Sequence, residues 1–320
     1  NQETYTISFN LGGEFISTSE TPLSRTEVTP KKIYGINVYY KKDGDTNDQN
    51  YAYGLFDNIK DMTISLIGGY KYKFECSMVQ NDADTLYHDD NMYYAPFYKY
   101  KSNYIYRGIT LENKFNISTT NTVIIQGLKS GITSIAGKED EHSDDVSFYP
   151  KTGRFYGELT DYIPTKEGVA NIDLKRTAFG LKFIVTPPVD GKLYISSITT
   201  NDNSYHSINS NVEVSADDNI LESSSMYTFS QVYECWQAEN YTKDFTIRLK
   251  WKRANGATQT FEEVITVKRN VMTTVNINVN GDTTDSSLGV KEDDTPMGNE
   301  NVDMNFNGGD LNDNEVNPNV

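Results

Sequence analysis

The chain has 320 residues, long enough for two domains that each bury a core. Its 23 Tyr and 14 Phe, beside many Thr, Ser, Asn and Gly, favour an all-β protein with long polar loops over a helical one. The net charge of −16 argues against a nucleic-acid partner, which needs clustered Lys and Arg, and no apolar run is long enough to span a membrane as a helix.

Strand-like alternation begins at once: Tyr5, Ile7, Phe9 and Leu11 alternate with Thr6, Ser8 and Asn10. The opening NQETYTISF has neither a charged n-region nor a long apolar h-region, and no initiating Met, so a mature or trimmed form is expected. A polar stretch from Ser17 to Lys32 follows, then Ile36, Val38 and Tyr40, the loop Asp43 to Asn50, and Tyr51, Tyr53 and Leu55. Met62, Ile64 and Leu66 lead through Gly68-Gly69 into Tyr70, Tyr72, Phe74, Cys76 and Met78 on one face. Short runs broken by turn residues predict a sandwich.

Residues 80–110 form a Tyr-rich insertion, with Tyr93, Tyr94, Tyr98 and Tyr100 as a candidate ligand surface, since Tyr gives large contact area at low entropy cost. The plainer expectation is that these rings pack an irregular loop onto the sandwich. Further runs occur near residues 122–128 and 146–156, and DYIPTKEG (Asp161 to Gly168) marks a boundary. Beyond it, Leu181, Phe183 and Val185 form one strand and Leu193 and Ile195 the next, with Pro187-Pro188 and Asp190-Gly191 between them. Phe245, Ile247, Leu249 and Trp251 alternate before Asn255-Gly256, a dipeptide suited to a hairpin turn, and a run from Val264 to Val279 ends on Val275, Ile277 and Val279. No window shows a sustained helical period. The expected organisation is a first sandwich over 1–163, a second over 164–280, and an acidic extension over 281–320, which holds ten acids against Lys291 alone.

Catalytic signals are absent: there is no GxSxG elbow, P-loop or GxGxxG, so no enzyme activity and no cofactor are expected. Cys76 and Cys235 are far apart and read as buried core thiols. His88, His142 and His206 sit in polar contexts without the separated ligands of a zinc site and are expected in loops. The loop from Asp43 fails as a calcium loop, with Asp48 at the sharp-turn glycine position and Gly54 at the bidentate glutamate position.

In order and spacing, YTISFNLGG, KKIYGINVYYKKDG, MTISLIGGYKYKFECSMVQND, and NIDLKRTAFGLKFIV with the later VITVKRNVMTTVNINV resemble the fimbrillin-type pilins of type V pili. The resemblance spans residues 4–280, and the acidic tail departs from it. It implies two transthyretin-like β-sandwich domains in tandem and export as a lipoprotein to the outer membrane. It also implies cleavage by an Arg-specific protease in the loop after the first strand, where Arg25 before Thr26 is the one basic candidate. Loss of the first strand (Tyr5, Ile7, Phe9, Leu11) would open a groove for a strand from the next subunit. Four buried apolar side chains would make that loss roughly 6–12 kcal/mol. Candidate donors are Val275, Ile277 and Val279, or Val302, Met304 and Phe306 in the tail. The implied function is that of a structural subunit of a cell-surface fimbrium, with other pilin subunits as partners. The alternative is a tip or surface adhesin that holds a host or bacterial glycan or protein through the Tyr-rich insertion.

Overall fold

The computed structural model describes residues 2–14, 32–80, 87–88, 92–93, 97, 107–108, 111–119, 124–125, 127–129, 134–135, 147–149, 153–198, 206–279 and 291–296. Strands β1 (Thr4–Gly13), β2 (Lys32–Lys42), β3 (Gln49–Phe56), β4 (Thr63–Ile67) and β5 (Tyr70–Gln80) come first. Seven short strands follow: β6 (Tyr87–His88), β7 (Met92–Tyr93), β8 (Arg107–Gly108), β9 (Lys114–Ile117), β10 (Ile124–Ile125), β11 (Ser134–Ile135) and β12 (Ser147–Phe148). Long strands then resume with β13 (Gly153–Tyr162), β14 (Val169–Arg176), β15 (Ala178–Val185), β16 (Lys192–Ile198), β17 (His206–Ser215) and β18 (Leu221–Thr228). After helix α1 (Val232–Gln237) come β19 (Thr242–Lys252), β20 (Thr258–Lys268), β21 (Val271–Ile277) and β22 (Lys291–Pro296). The protein is all-β, as its composition indicates. No helix among the described residues is long and apolar enough to cross a membrane.

Eight strands form the first sheet in the order β4-β1-β14-β13-β5-β2-β3-β9. It folds over on itself near the β13–β14 junction, where only Phe155 and Tyr156 pair with Arg176 and Lys175. The fold brings Phe9 of β1 edge-on to Phe74 of β5, with centroids 5.1 Å apart, and places Phe115 of β9 at 5.6 Å. The two edge strands, β4 and β9, thereby approach each other. Alternation explains why these segments are strands: Ala170, Ile172 and Leu174 of β14 face the core while Asn171, Asp173 and Lys175 face out.

The second half is a two-sheet sandwich. A six-stranded sheet, β11-β12-β17-β16-β19-β20, faces a four-stranded one, β18-β15-β21-β22. Phe179, Leu181, Phe183 and Val185 of β15 meet Phe245, Ile247, Leu249 and Trp251 of β19 in one core. The hairpin expected at Asn255-Gly256 is present, with Gly256 at φ 88° joining β19 to β20.

Several expectations need correction. The boundary expected between residues 163 and 164 falls inside the first sheet, because β14 lies beyond it yet pairs with both β1 and β13. The chain leaves that sheet at buried Thr177, whose N–H donates to the Arg154 carbonyl and whose own carbonyl accepts from Phe229 N–H. The run from Val264 to Val279 is two strands, because Asn270 adopts φ 58° and turns the chain from β20 in one sheet to β21 in the other. Leu181–Val185 and Leu193–Ile195 likewise lie in opposite sheets, so the proline-rich link is a crossing between layers. His206 opens β17 and His88 closes β6, where loops were expected. Helix α1 has too few residues to show a period, and it buries only Val232 and Cys235.

Described residues between β5 and β13 pack on the outer face of the first sheet. Phe97, Ile125 and Leu128 lie against Ile33, Leu55, Val79 and Tyr156, together with Val232 of α1. Gly35 makes this possible, since a Cβ there would stand 2.7 Å from the Phe97 ring. Phe97 is fully buried. Cys76 and Cys235 are both free and buried, as the sequence indicates, and burial pushes both thiols up, so neither is a nucleophile at neutral pH.

Candidate functional site

β1 is an inner strand. Thr4–Ser8 pairs antiparallel with β4, and Ser8–Gly13 pairs parallel with β14. Ile7, Phe9 and Leu11 are buried, whereas Tyr5 is only partly covered. Three apolar side chains, not four, therefore anchor the strand, which lowers its apolar contribution to roughly 4.5–9 kcal/mol. Its outer face carries short polar ties: Asn10 Nδ2 donates to Asn171 Oδ1 at 3.1 Å, and the Thr6 and Ser65 hydroxyls lie 3.2 Å apart. Without β1, the edges of β4 and β14 would flank a slot lined by Phe74, Phe115 and their neighbours, a ready template for another strand.

The C-terminal end of β1 is held differently. Gly13 adopts φ 75°, a conformation that favours glycine, and a Cβ there would lie 2.9 Å from the Leu174 carbonyl oxygen. The turn aims Glu14 at the junction between the two halves. Glu14 Oε2 accepts from Arg176 N–H at 2.9 Å and from Arg269 Nη1 at 2.7 Å, and Oε1 accepts from Arg269 Nη2 at 2.8 Å. Arg269 Nη1 also donates to the Arg176 carbonyl at 3.1 Å. Arg269 lies in the turn immediately before β21, and the Asn270 side chain beside it accepts from Arg176 Nη1 at 2.9 Å.

Burial pushes the Glu14 carboxyl up, but the Arg269 guanidinium and the Arg176 amide outweigh it and hold the group below the usual carboxylate range. Burial brings Arg176 down to about 10, and its guanidinium still stacks over the Phe155 ring, 5.0 Å from the centroid. A bidentate carboxylate–arginine pair of this kind is both strong and directional.

Two further polar groups tie residues between β5 and β13 to the first sheet. Fully buried Arg154 donates to Ser77 Oγ at 3.0 Å and to the carbonyls of Phe97, Gly127 and Leu128. Lys129 reaches Glu75 at 3.1 Å and Glu158 at 3.4 Å and lies over the Tyr233 ring. These bonds hold Phe97 and residues 127–129 against the first half. Among the described residues no group of three or more His, Cys, Asp or Glu could hold a metal.

Arg25, Thr26, Tyr94, Tyr98, Tyr100, Val302, Met304 and Phe306 lie outside the described residues, and only the backbone of Tyr93 is described. Val275, Ile277 and Val279 are core residues of the second half, and β21 is paired on both sides, with β15 and with β22. The sequence does not reveal Glu14 or Arg269 as partners, because 255 residues separate them. The signal available was Gly12-Gly13 followed by an acid at the end of an alternating strand.

No family model matches the chain, and no curated protein does. Among solved structures, it is similar to the tip fimbrial protein Mfa3 from Porphyromonas gingivalis, at 8% identity and a TM-score of 0.34, over 92% of this chain and 100% of that one. It is also similar to the fimbrial anchor protein Mfa2 from the same organism, at 10% identity and a TM-score of 0.35, over 92% and 98%. A Bacteroides eggerthii protein assigned provisionally to cell adhesion shows 9% identity and a TM-score of 0.40, over 92% and 96%.

Proposed function

We propose that this chain is a structural subunit of a cell-surface fimbrium, assembled when a strand from another subunit replaces β1. The observation that supports this most is the placement of β1: an inner strand whose Ile7, Phe9 and Leu11 complete the first core, followed by a long polar segment. One cut in residues 15–31, at Arg25 if the protease is Arg-specific, separates β1 from the rest of the chain. Losing the strand would strip the first core of roughly 4.5–9 kcal/mol, comparable to the stability of a whole domain. The empty slot would then persist only if another strand filled it, by β-strand addition.

The incoming strand comes from the tail of a neighbouring copy, at Val302, Met304 and Phe306. The alternative donor, β21, is the less economical choice. Drawing it out would remove Val275, Ile277 and Val279 from the second core and unpair both β15 and β22. The partners in this reading are other subunits and a processing protease, and the location is the cell surface, reached as a lipidated precursor tethered at the outer membrane.

The test is to treat the purified chain with an Arg-specific protease and follow it by native gel and N-terminal sequencing. A new N-terminus at Thr26 together with a ladder of oligomers is expected. A cut chain that stays monomeric would contradict assembly and turn attention to glycan binding by the Tyr-rich insertion.

A further inference from the structure

The Glu14 clamp gives the slot a chemical requirement beyond apolar fit. If β1 leaves, Arg269 loses a bidentate carboxylate and the Arg176 amide loses its acceptor, at a junction where both groups are largely shielded from water. Whatever refills the slot meets these two donors, each missing the carboxylate it held, at the slot's far end, just past the apolar pockets. We propose that Arg269 and the Arg176 backbone amide form a carboxylate-reading site that selects the incoming strand, and that Asp310 of a second copy's tail supplies the carboxylate. This rests on the strand-replacement reading above.

The tail carries the required order of residues. Tyr5-Thr-Ile7-Ser-Phe9-Asn10-Leu11-Gly12-Gly13-Glu14 is echoed by Val302-Asp-Met304-Asn-Phe306-Asn307-Gly308-Gly309-Asp310. Aligned on Phe-Asn, the two segments place Val302, Met304 and Phe306 where Tyr5, Ile7 and Phe9 stand. Asn307 then falls at Asn10, whose amide bonds Asn171 on the outer face. Both segments end in Gly-Gly-acid.

The tail spends one residue fewer between its phenylalanine and its acid, since nothing in it matches Leu11. In β1 that interval includes the kink at Gly13, φ 75°, whereas the two glycines of the tail are free to run straight. Four extended residues span about 13 Å. Charge complementarity points the same way, with ten acids in residues 281–320 and a guanidinium at the end of the slot.

The test uses the full chain with an inserted cleavage site for a sequence-specific protease within residues 15–31, cut and then mixed with fluorescent peptides. Peptides covering residues 300–311 and 3–14 are compared by anisotropy with their Asp310→Asn and Glu14→Gln versions. The acidic form of each peptide should bind about tenfold more tightly than its amide, and Arg269→Gln should abolish that difference. If Arg269→Gln does not fold, the peptide pairs on the unsubstituted chain still decide.

Equal binding of the acid and amide forms overturns the carboxylate-reading site while leaving strand replacement intact. Binding of the 3–14 peptide with none of the 300–311 peptide overturns Asp310 as the source, and the Glu14 pair then tests the clamp alone. Binding of neither peptide overturns both this inference and strand replacement.

Discussion

β1 and β21 are both inner strands that bury alternate apolar side chains, yet they are held in different ways. β21 starts from the tight turn at Asn270 and lies parallel to β15, and its Val275 and Ile277 sit in a core shared with both sheets of the second half. β1 is pinned by Ile7, Phe9 and Leu11 and by one carboxylate that reaches into the other half of the molecule. If strand replacement holds, inner placement does not by itself make a strand permanent. What matters is how much of the core leaves with it, and whether its polar tie can be remade by another strand.

Substitutions can break or sharpen that contrast. Phe9→Ala removes the ring packed between Phe74 and Phe115 and should cost about 3–5 kcal/mol in denaturant unfolding of the intact chain. Ile277→Ala should cost about 2–4 kcal/mol. After a cut within residues 15–31, only the Phe9 substitution should speed loss of the N-terminal fragment; equal acceleration by both would erase the distinction.

Gly13→Ala forces a side chain onto a backbone at φ 75°, close to the Leu174 carbonyl, and should cost about 2 kcal/mol by thermal unfolding.

Glu14→Gln should cost about 1.5 kcal/mol at neutral pH. Its carboxyl is depressed in the folded state, so its contribution is complete above an unfolded pKa of about 4.3 and is lost as pH falls through the lower folded value. Acid titration of the cut chain should therefore loosen β1 in that range, and Glu14→Gln should remove this part of the pH dependence. At the small end, Glu262→Gln breaks an exposed pair with Arg248 and should change stability by no more than about 0.5 kcal/mol.

Alternation alone revealed the apolar face of β1, the core strands β15 and β19, and the hairpin at Asn255-Gly256, because each is a local pattern. Tyr5 follows the alternation yet is only partly covered, at the end of the strand that lies beside Gly68. The domain division was placed too early because DYIPTKEG has the composition of a linker, while the pairing of β14 with β1 connects residues some 160 positions apart. The Arg269–Asn270 turn was hidden inside an apolar-flanked run with no glycine or proline to mark it. The clamp was the least legible part. Glu14, Arg176 and Arg269 look like ordinary charges in sequence, and only the crossing from β14 to β15 brings them together.

The most direct measurement is to cut the chain once within residues 15–31 and follow the N-terminal fragment and the oligomer distribution together by native mass spectrometry. Strand replacement predicts that each addition of a subunit releases one fragment, so that oligomers contain about one fragment in total, on the subunit whose slot no tail has filled. Fragments retained by every subunit while the chain stays monomeric, or oligomers that keep one fragment per subunit, would contradict it.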